Sequence, residues 1–248
     1  MEKIISYPIT VVYYLCFLLL LCIFHPIQWV CLNVFGYHAH KKSVDYLNHA
    51  LIRCTHLLGT TYKIQNRELA PKGVPVIIVA NHQSMYDIPP IIWFLRKLHP
   101  KFISKKELGK GIPSVSYNLR HGGSVLIDRK NAEQALSEIR KMGDYIEKHN
   151  RSVVIFPEGT RSKTGQPKKF SENGLKTLCK YAPSAYILPI TINHSWKMVK
   201  FGSFPMGLGN RIVFTIHKPF KVSDYPFEEL FQKTESTIVS GIKLPSNL

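Results

Sequence analysis

The chain has 248 residues, 45% apolar and 20% charged, which excludes a disordered tail, a fibrous repeat and a peptide too short to bury a core. Lys and Arg outnumber Asp and Glu by 33 to 16, a formal charge of +17. An excess of that size calls for an anionic partner: nucleic acid, an anionic membrane surface or a phosphate-bearing substrate. The five cysteines (Cys16, Cys22, Cys31, Cys54, Cys179) form no CxxC pair. That pattern argues against a disulfide framework or a zinc ribbon and for reduced thiols on the cytosolic side.

From Ile4 to Phe24 no residue carries a formal charge, and the centre reads VVYYLCFLLLLCIF. As a helix this stretch is roughly 31 Å long, against a bilayer core of about 30 Å. A membrane anchor is expected, either one span or a re-entrant helical hairpin. A cleaved signal peptide is the weaker alternative, because Lys3 is a poor n-region and no small-x-small site follows. A buried core helix is the third. His25-Pro26 is expected to break the helix, since a residue before proline avoids the helical region. The apolar stretch Ile27–Tyr37 that follows is too short to span. Lys41, Lys42 and Arg53 then put the rest of the chain on the cytoplasmic face by the positive-inside rule. Residues 1–40 are assigned to the anchor and 41–248 to a single domain.

Val44, Leu47, Leu51, Cys54 and Leu58 recur at helical spacing, which predicts an amphipathic helix from about Lys41 to Leu58, with Gly59 as its stop. Beyond it, short β-branched runs alternate with amphipathic ones. Strands are expected at Val74–Ala80, Lys101–Ser104, Ser124–Asp128, Ser152–Phe156, Tyr186–Ile192 and Arg211–His217. Helices are expected at Pro89–Leu98, Leu108–Leu119, Asn131–His149, Glu172–Tyr181 and Pro226–Ser240, with Asn131 and Gln134 as a capping box. This alternation predicts an α/β fold with a mixed, largely parallel sheet flanked by helices.

Three polar clusters end predicted strands, where α/β proteins place their sites. NHQSMYD (residues 81–87) follows VPVIIVA. His82 is the natural general base near neutral pH. Asp87 lies about 140° away from it on one continuous helix, so the two meet only if a turn intervenes, and Pro89 and Pro90 favour a helix start there. A His–Asp pair with no protein nucleophile suits activation of a substrate hydroxyl. The competing reading is a satisfied strand-end His, with Asp87 as a helix cap. GSVLIDR (123–129) offers Arg129 to a phosphate or to a neighbouring carboxylate. FPEGTRS (156–162) displays Glu158, Thr160 and Arg161 on a Pro/Gly turn whose hydroxyls and amides can donate to phosphate oxygens. A plain surface turn would use the same residues. Between Asn173 and Ser223 seven Lys or Arg stand with no acidic residue, which suits anionic headgroups.

Taken together these boxes resemble the glycerolipid acyltransferases, the lysophosphatidic acid acyltransferase group in particular. NHQSMYD matches the family's N-H-x4-D box, GSVLIDR its second, FPEGTRS its third and Leu188–Ile190 its fourth, while SKKEL (104–108) is similar to a lysine-containing stretch between the first two. The resemblance implies transfer of a fatty acyl group from acyl-CoA or acyl carrier protein to the sn-2 hydroxyl of 1-acylglycerol 3-phosphate (lysophosphatidic acid), giving phosphatidic acid. It implies His82 as base and Asp87 as its orienter, without a covalent acyl-enzyme. It further implies Gly123, Arg129, Glu158, Gly159, Thr160 and Arg161 as ligands of the glycerol phosphate, with Lys105 as a further phosphate candidate. No metal or cofactor is implied. The partners implied are membrane lipids, lysophosphatidic acid and the acyl donor, and the location is the cytoplasmic membrane. Two alternatives stand beside it. One is an acyltransferase for another acceptor, such as a lysophospholipid, a lyso-ornithine lipid or glycerol 3-phosphate. The more remote is a non-catalytic basic protein that binds lipid or nucleic acid, which explains the charge but not the anchor together with His82 and Asp87. No nucleic-acid partner is expected on the favoured reading.

Overall fold

The computed structural model describes residues 1–244. Its sheet contains β1 (Thr61–Gln65), β2 (Val76–Ala80), β3 (Pro100–Lys105), β4 (Val125–Ile127), β5 (Ser152–Ile155), β6 (Tyr186–Asn193), β7 (Arg211–Ile216) and β8 (Phe220–Lys221). The helices are α1 (Glu2–Phe35), α2 (Tyr37–Cys54), α3 (Ile88–Phe94), α4 (Val115–His121), α5 (Ala132–His149), α6 (Glu172–Tyr181) and α7 (Phe227–Ser240). The strand order is β1-β7-β6-β2-β5-β3-β4, with β8 on β6. The run from β6 through β2, β5 and β3 to β4 is parallel, and β7 and β8 pair antiparallel with β6. The sheet is therefore mixed and largely parallel, as the alternating pattern requires.

β2 is the hub. All five of its residues, VIIVA, are fully buried, because both of its faces are covered. Val76, Ile78 and Ala80 meet Tyr13 of α1, Val44 and Cys54 of α2 and Ile91 of α3. Ile77 and Val79 meet Ile139 and Ile146 of α5, Leu175 of α6 and Leu230 of α7. The polar residues that follow β2 thus emerge from a strand buried on both faces.

Three local expectations change. β1, TYKIQ, is an edge strand with alternating exposure and too many polar residues to stand out in the sequence. The stretch 108–114 is not α-helical and α4 begins only at Val115, because Gly109, Gly111 (φ 81°) and Pro113 interrupt it. Conversely, α1 runs straight through Pro26. Proline removes one helical bond there, and the preceding turn is held from outside: Ser114 Oγ donates to the Leu21 carbonyl (2.6 Å), and the Ser114 amide donates to His25 Nδ1 (3.1 Å).

At 34 residues α1 is about 51 Å long. It is tied to the globular domain along that whole length. Glu2 pairs with Lys200 (2.8 Å), Thr10 Oγ1 accepts from the Met206 amide (2.9 Å), Tyr14 donates to the Ser203 carbonyl (2.5 Å) and Asn33 donates to the Tyr117 hydroxyl (3.1 Å). Ser6, Thr10, Tyr13, Leu21 and Gln28 form its buried stripe. The opposite face leaves Ile4, Leu15, Leu19 and Val34 more than half exposed. Glycine at position 36 turns the chain into α2, and the boundary expected between residues 40 and 41 falls inside α2.

At the amino-terminal end of β3, Lys101 is 6% exposed and donates to the Gly122 carbonyl. With Tyr37, His40 and Asp45 it walls a cavity of about 20 Å³, room for one water. Burial, reinforced by the charges of Arg151 and Lys41, pulls its pKa down to about 7. The unfolded chain, near the ordinary 10.5, therefore holds a proton that the folded chain releases between pH 7 and 10.5. The Lys101 contribution to stability therefore rises with pH across that window, and its cost is complete below it. Lys101→Met keeps the stem and removes the charge. It should raise the melting temperature at pH 7 and flatten its rise up to about pH 10, which melting curves of parent and variant would check.

Candidate active site

The chain leaves β2 at Asn81, whose side chain extends the sheet. It donates to the Ile192 carbonyl (2.9 Å) and accepts from the Ile192 amide (2.7 Å), fastening the loop to β6. His82 follows, and then a 3-10 turn at Met85–Asp87 leads into α3, with Pro89 and Pro90 in its first turn. Ser84 caps the turn, accepting from the Tyr86 amide (3.2 Å). This is the turn that a five-residue spacing needs, and it brings His82 Nδ1 to 2.8 Å from Asp87 Oδ2.

Asp87 is fully buried. Its Oδ2 accepts from His82 Nδ1, the Gln83 amide (2.8 Å) and the Ser84 amide (3.0 Å). Its Oδ1 accepts from the hydroxyls of Ser195 and Ser84, the latter at 3.4 Å. The hydrogen bond to Asp87 assigns the proton to Nδ1 and leaves Nε2 with a free lone pair. The imidazole lies flat on Phe156, ring centroids 4.1 Å apart and planes 16° apart, and its side chain keeps 14% exposure. The geometry is that of a general base with one open edge.

The third box holds the first. The His82 amide donates to Glu158 Oε1 (2.8 Å), and the Ser162 amide donates to the His82 carbonyl (2.7 Å). Glu158 Oε2 accepts from the Lys168 amide (3.0 Å). Burial raises the Glu158 pKa, and these two amides oppose the shift. Both oxygens of Glu158 are thus spent on backbone, and the carboxylate faces inward. It braces the His82 loop, which differs from the phosphate contact expected of it, and a carboxylate would repel that anion. Gly159 turns at φ 67°, and a Cβ there would meet nothing within 4 Å, so the turn is open above.

Around this edge the sheet ends supply charge. Lys105 closes β3 beside Ile127, and Arg129 lies two residues beyond β4. Both are exposed, as are Thr160 and Arg161 after β5. Lys106 pairs with Asp128 (2.5 Å), whereas Lys105, Arg129 and Arg161 make no ion pair among the described residues. Lys168, which the motifs did not single out, donates to Thr160 Oγ1 (2.8 Å) and to the Arg161 carbonyl (3.0 Å), shaping the same rim.

Gly123 does not join the site. It precedes β4 at the level of Lys101, at the opposite end of the sheet from His82. There its φ is 87°, and a Cβ would lie 3.2 Å from the Tyr145 hydroxyl and 3.4 Å from Lys101 Cε. Its glycine serves close packing, not phosphate binding. Besides Lys168, the sequence reading also missed Ser195 and the role of Gln83, whose side chain accepts from the Ser195 amide (3.0 Å). Ser195 carries no local signal, since only the adjacency of β6 and β2 brings it near.

A family model described as Acyltransferase matches residues 61–193, more than half of the chain. The 1-acyl-sn-glycerol-3-phosphate acyltransferase of Saccharomyces cerevisiae is 25% identical over 88% of this chain and 67% of its own length. Its counterpart from Borreliella burgdorferi is 30% identical over 75% of this chain and 74% of its own length. The crystal structure of the 1-acyl-sn-glycerophosphate acyltransferase of Thermotoga maritima superposes with a TM-score of 0.81 at 25% identity, covering 97% of this chain and 96% of that one. The matched region opens with β1, closes with β6 and contains the His82–Asp87 pair with the Glu158 brace. The chain belongs to the acyltransferase family.

Proposed function

We propose that this chain acylates the sn-2 hydroxyl of 1-acylglycerol 3-phosphate with a fatty acyl group from acyl-CoA or acyl carrier protein, forming phosphatidic acid. The relatives' shared activity supports the acceptor. The observation that carries the chemistry is His82, bonded through Nδ1 to a buried carboxylate with its Nε2 edge open, at the sheet end where Lys105, Arg129 and Arg161 also emerge exposed. His82 Nε2 accepts the proton of the sn-2 hydroxyl as its oxygen attacks the thioester carbonyl. A C–O bond forms. The tetrahedral intermediate then expels the thiolate, which takes the proton back from the imidazolium. Asp87 stabilises that transient cation and holds the ring. The unpaired cations bind the acceptor's phosphate, and no metal or other cofactor enters the reaction as written.

The outward apolar face of α1 lies in one leaflet with the helix in the membrane plane, an arrangement supported by the ties from Glu2 to Asn33. The basic residues Lys41, Lys42 and Arg53 favour the cytoplasmic leaflet. The acceptor is itself amphiphilic, so the enzyme meets it at that surface.

Thioester release from palmitoyl-CoA, with lysophosphatidic acid set against lysophosphatidylcholine and glycerol 3-phosphate, tests the acceptor. Release should depend on lysophosphatidic acid, and equal release with all three would defeat the assignment. His82→Ala and Asp87→Asn should each lower kcat by about 10³-fold or more at unchanged fold, and a folded His82→Ala protein with near-parental turnover would sink the mechanism. Replacing Leu15 and Leu19 together with Glu should weaken sedimentation with vesicles by more than about tenfold, with no change in melting temperature, since both side chains are exposed.

A further inference from the structure

We propose that Ser195 is a positioning residue for this transfer: its hydroxyl fixes the outer oxygen of Asp87 and so sets how firmly the carboxylate grips the His82 imidazole. The inference rests on the reading of His82 as the base. Ser195 is fully buried and lies 108 residues beyond Asp87, in the 3-10 turn Ser195–Val199 after β6.

A carboxylate removed from water needs donors on both oxygens. Three N–H groups serve Oδ2 of Asp87, whereas Oδ1 has hydroxyls alone. Of these, Ser84 is the weaker donor. It stands 3.4 Å from Oδ1, is also 3.1 Å from Ser195 Oγ, and is occupied as the cap of its own turn. Ser195 is the close partner. Its place is determined several times over. Gln83 Oε1 accepts its amide (3.0 Å), and Asn81 pairs with Ile192 three residues before it. His194, at φ 70°, makes the bend between β6 and the Ser195–Val199 turn. Two residues of the first box, Asn81 and Gln83, thus use their side chains to hold the segment that carries Ser195.

A donor on Oδ1 draws negative charge away from Oδ2 and stops the carboxylate from rotating about its Cβ–Cγ bond. Without it, Oδ2 becomes the more basic oxygen. The imidazole then keeps an added proton to higher pH and is held less sharply in angle. Ser195 touches no substrate, so binding should be spared.

The test compares full-length Ser195→Ala, Ser195→Thr and Ser195→Val in lipid vesicles with the parent chain. In Ser195→Ala, kcat should fall about tenfold with KM for both substrates within about twofold, and the acid limb of the pH–rate profile should move to higher pH. Ser195→Thr retains the hydroxyl and should recover both, while Ser195→Val, of the same shape, should not. Carbethoxylation of His82, followed by peptide mapping, reads the same shift without turnover: half-modification should need a higher pH in the Ala and Val variants. An unmoved His82 profile in Ser195→Ala, or Thr and Val variants equally impaired at equal melting temperature, would overturn the proposal. Failure of the base assignment looks different, since His82→Ala would then keep its activity.

Discussion

A fully buried carboxylate is tolerable only if its surroundings are built to receive it, and Asp87 makes that demand on two separate stretches of chain. Residues 82–84, just before the turn, supply the imidazole Nδ1–H and the amides of Gln83 and Ser84, and the turn after the neighbouring strand β6 supplies the Ser195 hydroxyl. The strand order follows the same need: β6 must lie beside β2 for Ser195 to reach Oδ1. Removing any one donor weakens the stabilisation without abolishing it, because a charge in a low-dielectric interior is stabilised by the sum of its contacts.

A second bracket acts from the other side. Glu158 grips the His82 and Lys168 amides, so the loop carrying the base and the loop carrying Thr160 and Arg161 share one hinge point. His82 and the Thr160–Arg161 segment are therefore linked through backbone contacts. This arrangement explains a carboxylate inside a basic site without asking it to touch an anion.

The core of this architecture was legible in residue pattern. VIIVA and SVVI are dominated by β-branched residues, and they form central strands. The His82–Asp87 contact was foreseeable once a turn was placed between them, since Pro89 and Pro90 permit only a helix start. Three kinds of information were not local. Gly123 sits in the same seven-residue box as Arg129 but at the other end of a short strand, and only the pairing of β3 with β4 separates their tasks. Glu158 reads as a displayed group in sequence because its partners are amides, which carry no residue identity. Pro26 reads as a break because its compensation comes from Ser114, in a segment 88 residues away.

The exposed stripe of α1 has a kinetic consequence. An enzyme held at an interface meets a lipid acceptor by lateral diffusion, so the concentration that matters is molecules per unit of surface. Adding inert bilayer then thins both partners and slows encounter even though the bulk amounts are unchanged. A water-soluble thioester escapes this dilution, because it still arrives from three dimensions. On the proposed reading, donor and acceptor thus obey different concentration laws on one catalyst, and the stripe Ile4, Leu15, Leu19 and Val34 is the feature that separates them.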